Sequence, residues 1–106
     1  MKVSQQLKAA KAIIASPSKW LQGAYAKDAD GFYMRGNNTN AVCFCSLGAL
    51  QAVNQTDSDA PSQPAIAVLK QFMGGDVPEF NDSATHEQVL EAFDKAIAAA
   101  EEQEAA

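Results

Sequence analysis

The sequence predicts an α+β fold that is mostly α: about four helices around a buried central helix, with one β-hairpin. Three observations predict it. The stretch from Ala41 to Val53 runs thirteen residues without a charge, with polar groups only at Ser46 and Gln51. Three other windows carry apolar residues at the i, i+3, i+4 spacing of an amphipathic helix. Between them, Asp28-Ala29-Asp30-Gly31 has the composition of a tight turn, with Gly31 suited to positive φ.

The first helix is expected over about residues 3–15, with Val3, Leu7, Ala10 and Ile14 as its stripe. Pro17 ends it, because the residue before proline leaves the helical region. Trp20, the only tryptophan, is expected to plug the core with its indole N–H on a carbonyl oxygen. Residues 23–27 and 32–35 flank the turn as the two strands of a hairpin. The central helix is expected from about Asn40 to Asn54, because buried strands usually stop near eight residues and Leu47 to Ala52 favour helix. Gly48 costs roughly 1 kcal/mol against alanine in a helix, which implies close approach of another backbone. A third helix runs from about Ser62 to Met73 and stops at Gly74-Gly75. Residues 76–82 read as an extended connection. Thr85 and Gln88 form a capping box for a fourth helix reaching about Ala100, and residues 101–106 read as a frayed tail.

At 106 residues the chain is expected to be one domain spanning residues 1–106. It carries no apolar run long enough to cross a membrane and opens on a polar segment rather than a secretory signal, so a cytoplasmic location is expected. Cys43 and Cys45 are two apart and, on one helix, point in nearly opposite directions. They cannot bridge, and they fit a reducing compartment. The net charge is −5. Residues 1–53 hold six basic residues against two acidic, while residues 54–106 hold eleven acidic against two basic. Much of this is expected to be complementarity between halves, but an acidic exterior disfavours nucleic acid as partner.

The order of these features resembles a family of small uncharacterised bacterial and bacteriophage proteins. The resemblance rests on Trp20 with Gly23 and Ala24, then Asp28, Asp30 and Gly31. Cys45, Leu47, Gly48, Ala49 and Leu50 follow, then Asn81 and Asp82. It covers roughly residues 7–100. It implies this architecture and a phage or mobile-element origin, and it supplies no catalytic residues.

Cys45, His86 and either Asn81 or Asp82 are the residue types of a cysteine hydrolase. Against that, Cys45 lies on an apolar stretch and reads as an inert buried thiol. His86 reads as a surface residue, and Asn81 and Asp82 read as turn-bonding groups. A Cys-x-Cys pair on a helix splays its ligands, and the Asp28-x-Asp30-Gly31 turn lacks the remaining acids of a calcium loop, so neither a metal nor another cofactor is expected. Tyr25 and Tyr33 on the hairpin, with Glu87, Glu91 and Asp94 on the last helix, are the candidate contacts for a protein partner. The expected function is a small acidic protein-binding module, an accessory protein of a phage or mobile element that modulates a host protein, for instance as an anti-defence inhibitor. The alternative is a cysteine-dependent hydrolase using Cys45 and His86.

Overall fold

The computed structural model describes residues 1–106. The chain forms five α-helices and a small antiparallel sheet: α1 (Val3–Ile14), β1 (Ala26–Lys27), β2 (Tyr33–Met34), β3 (Cys43–Phe44), α2 (Ser46–Asn54), α3 (Gln63–Lys70), α4 (Val77–Ser83) and α5 (His86–Ala105). A 3-10 turn, Pro17–Lys19, follows α1. The fold is thus mostly α with some β. The sheet order is β2-β1-β3, with Ala26 opposite both Met34 and Phe44 and Lys27 opposite both Tyr33 and Cys43.

α1 forms where its stripe predicts, burying Leu7, Ala10 and Ile14 completely. It packs on α2 and α5, which add Ala49, Leu50, Val89, Phe93 and Ala96 to one continuous core. The hairpin also forms where expected. Gly31 takes φ 88°, and the Asp28 carboxylate accepts from the N–H groups of Asp30 and Phe32 to fix the turn.

The central apolar stretch divides where one helix was expected. Cys43 and Phe44 are extended and complete the sheet as β3. A short apolar run satisfies either periodicity, and here pairing with β1 decides it. Cys45 stays extended, with ψ 179°, and its sulfur accepts from the Gly48 N–H at 3.3 Å. The thiol therefore takes the N-cap role, five residues later than a helix starting at Asn40 would need one. The helix begins only at Ser46.

Gly48 does admit another backbone. A Cβ there would lie 1.9 Å from the Tyr25 carbonyl oxygen, and a Cβ on Gly36 would lie 1.8 Å from the Gly48 oxygen. α2 is thus clasped on two sides by the hairpin's own main chain. Gln51, fully buried, joins the same layer by accepting from Gly36 N–H at 2.7 Å and donating to Ser58 O at 3.0 Å.

Two other segments depart from expectation. Residues 77–83 are helix, not an extended connection: Asp76 caps Glu79 N–H at 3.0 Å and Pro78 sits in the first turn. The last helix continues to Ala105, so residues 101–105 are not frayed. α5 runs antiparallel to α1, and Lys8 pairs with Glu101 at 2.7 Å and Lys11 with Asp94 at 2.5 Å. The Glu104 carboxylate reaches the first turn of α1, accepting from Ser4 N–H at 3.1 Å and Ser4 Oγ at 2.5 Å. An acid that opposes its own helix dipole thereby favours the dipole of the neighbour.

Two outcomes follow from this packing. Gly48→Ala should cost about 3 kcal/mol or more, because the methyl group meets main chain that cannot move aside. An unchanged melting temperature would show that α2 does not sit against Tyr25. The Ser4 donors hold the Glu104 carboxyl below its ordinary value of 4.5. A depressed native pKa makes the contact a stabiliser above that value, and its contribution is lost as the pH falls through the native pKa. Acid titrations of thermal stability should therefore show a shallower loss in Glu104→Gln than in the native protein. Superimposable acid limbs would contradict the contact.

Candidate functional site

Asn81 is fully buried on α4 and joins three separate segments. Its Oδ1 accepts from Trp20 Nε1 at 3.0 Å, Ser46 N–H at 3.0 Å and Ser46 Oγ at 2.8 Å. Its Nδ2 donates to Leu21 O at 2.9 Å and to Asp82 Oδ1 at 3.3 Å. The Ser46 N–H opens α2 and has no partner within its own helix, so a side chain from another helix supplies one. Gln22 closes the other side. Its Nε2 donates to the carbonyls of Asn81, Asp82 and Ala84, each at 3.1 Å, which caps the end of α4. Asp82 accepts from Gly23 N–H at 2.9 Å.

Above this network lies a half-open groove of about 200 Å³, lined by Gly23, Ala24, Tyr25, Cys45, Leu47, Pro78 and Asp82. Cys45 is 7 % exposed at its floor. Burial pushes its thiol up. The Gly48 and Leu47 N–H groups pull the other way, and the Asp82 carboxylate adds to the rise. The outcome is a protonated sulfur, whereas nucleophilic chemistry needs the thiolate. Cys43 is likewise buried and unbridged.

The structure brings Cys45 and Asp82 to one groove and places Asn81 beneath it. His86 is occupied elsewhere. Its Nε2 lies 2.6 Å from Ile14 O, and its ring lies against Trp20, tilted by 37° with centroids 5.2 Å apart. A carbonyl only accepts, so Nε2 carries the proton. His86 is half-buried rather than a free surface residue. It caps the C-terminal end of α1 from the first turn of α5. Trp20 is half-buried, and its N–H bond goes to a side-chain amide oxygen.

On the hairpin, Tyr33 is 74 % exposed and Phe32 69 %. Tyr25 is half-buried: its hydroxyl donates to Asp59 at 2.9 Å while Arg35 lies 4.7 Å over its ring and pairs with the same carboxylate. The Arg35 and Tyr25 donors hold the Asp59 carboxyl below the usual range. On α5, Asp94 pairs with Lys11 and Glu91 with Lys95 at 3.2 Å, while Glu87 is exposed.

Sequence reasoning missed Gln22, Ser46 and the Arg35–Asp59 clasp. Ser46 had a signal, as one of two polar groups in an uncharged stretch. Gln22 and Asp59 had none, since their partners lie 59 or more and 24 residues away respectively.

Asn81→Ala should destabilise the protein by about 3 kcal/mol, because it strands Ser46 N–H, Trp20 N–H and Leu21 O together. Denaturant unfolding checks this, and a loss below about 1 kcal/mol would mean that water replaces the amide without cost.

A search of curated proteins returned no match, and a search of solved structures returned none. A family profile matches residues 1–99. The chain belongs to that family, DUF6197, a family of unknown function.

Proposed function

We propose that the chain is a small protein-binding module and that its hairpin is the docking element. The observation that carries this reading is the pair Phe32 and Tyr33, adjacent in sequence and each about 70 % exposed. Alternation sends their side chains to opposite faces of β2, so neither face of the hairpin hides them. The hairpin is held as a presentation surface by the Tyr25–Asp59–Arg35 clasp and by the backbone contact on Gly48. Exposed aromatic residues are frequent energetic anchors of interfaces.

The remaining polar groups have work inside the chain. Asn81, Gln22 and His86 are bonded to backbone, and Asp94 and Glu91 face lysines. The proposed contact is therefore Tyr33 with Phe32 beside it, supported by the acids without internal partners rather than by Asp94. The hydrolase reading has less support, because Cys45 and His86 hydrogen-bond to other groups and the thiol is held protonated. A cytoplasmic setting, and a role for a phage or mobile element acting on a host protein, rest on the resemblance and the residue composition.

A double variant, Phe32→Ser with Tyr33→Ser, tests the reading. It removes no buried side chain, so its melting temperature should stay within a few degrees of the native value. Captured from lysate of a native host and quantified by mass spectrometry, a partner should be retained by the native protein and lost by the variant. A partner retained equally by both would place the interface elsewhere.

A further inference from the structure

We propose that the hairpin's partner is an extended, basic segment of another protein that adds to the sheet as a fourth strand beside β2. This rests on the protein-binding reading above and names the mode and chemistry of that contact.

The two edges of the sheet are not equivalent. Beyond β3, Trp20 bridges to Phe44, and Leu21 N–H donates to Phe44 O at 2.9 Å, so that edge is covered. Beyond β2 no strand follows. Asp28 N–H donates to Phe32 O at 3.0 Å, which makes Asp28 and Phe32 a bonded pair of the ladder. Bonded and non-bonded pairs alternate in an antiparallel ladder, so the next pair, Lys27 and Tyr33, is non-bonded. The Tyr33 N–H and C=O therefore point away from β1, toward the open edge. Edges are ordinarily blunted by shortness, charge or proline; β2 is short, two residues, but Phe32 and Tyr33 stand on this edge with no lysine or proline between them. A strand laid here gains the Tyr33 backbone bonds and covers an aromatic side chain on each face, which is the combination used in strand addition.

Charge selects the occupant. Arg35, at one end of β2, is already neutralised by Asp59. Asp30, at the turn end, has no ion-pair partner; Lys27 has none either but lies on β1, behind Tyr33 and away from the open edge, and the whole chain is at −5. A second copy would bring the same net charge to the same edge. A segment with lysine or arginine opposite the turn, and a branched or aromatic residue beside Tyr33, complements both features.

Random displayed peptides of about eight residues, strand length, selected on the intact protein provide the probe. The expected winners are apolar, extended and basic. The tightest should slow exchange of the Tyr33 amide about tenfold or more. Tyr33→Pro, which deletes that N–H, should abolish binding. Because proline could disturb the hairpin, Asp30→Lys serves as the second variant and should raise Kd about threefold. Peptides that require Phe32 and Tyr33 but leave the Tyr33 amide unprotected would overturn strand addition while leaving the protein-binding reading standing. Acidic winners, or none, would overturn the proposal. Protection of Tyr33 that appears with protein concentration alone would overturn it in favour of a second copy.

Discussion

The amide of Asn81 is the constraint on which the arrangement depends. A buried primary amide offers two acceptor sites and two donors, and every one is used here. Its partners come from the Trp20–Leu21 connection, from the start of α2 and from its own neighbour Asp82. With the amide in place, α2 has a capped start, Trp20 has its bond, and residues 21–25 run along α4 to form a groove wall. The groove at Cys45 is a consequence of that tie.

A second constraint works at the ends of α1. Its first turn receives the Glu104 carboxylate, and the carbonyl of its last residue, Ile14, receives the His86 N–H, both from α5. α5 thus caps both ends of its antiparallel neighbour, with Lys8–Glu101 and Lys11–Asp94 between them. Part of the uneven charge of the two halves is matched here. Exposed ion pairs are worth little singly, and their alignment chiefly fixes the register of the two helices. The acids left over, with the open edge of β2, are what the surface offers to another molecule.

Much of the architecture was legible in the residues. The stripe of α1, the Gly31 turn, the capping box at Thr85 and the close approach at Gly48 all rest on local signals and appear where those signals stand. Most of the errors share a cause: they needed distant partners. Cys43 and Phe44 become strand only because β1 is present to pair with them. α4 was overlooked although Asp76, Pro78 and Glu79 are sound starting signals, because seven residues ending in Asn-Asp-Ser give too little apolar periodicity to announce a helix. Glu101 to Glu104 look unsuited to a helix end until α1 is placed beside them. Of the candidate site, the burial of Cys45 and the bonding role of Asn81 and Asp82 could be reasoned locally. The occupation of His86 by Ile14, 72 residues away, could not.

Native-state amide exchange tests the central claim most directly, that Asn81 ties the start of α2 into the global fold and leaves the hairpin edge outside it. The account predicts that the Ser46 amide exchanges only through global unfolding, while the Tyr33 amide of the same molecule exchanges at nearly the free-peptide rate. A Ser46 amide that opens through a low-energy local fluctuation, or a Tyr33 amide protected in the isolated protein, would contradict it.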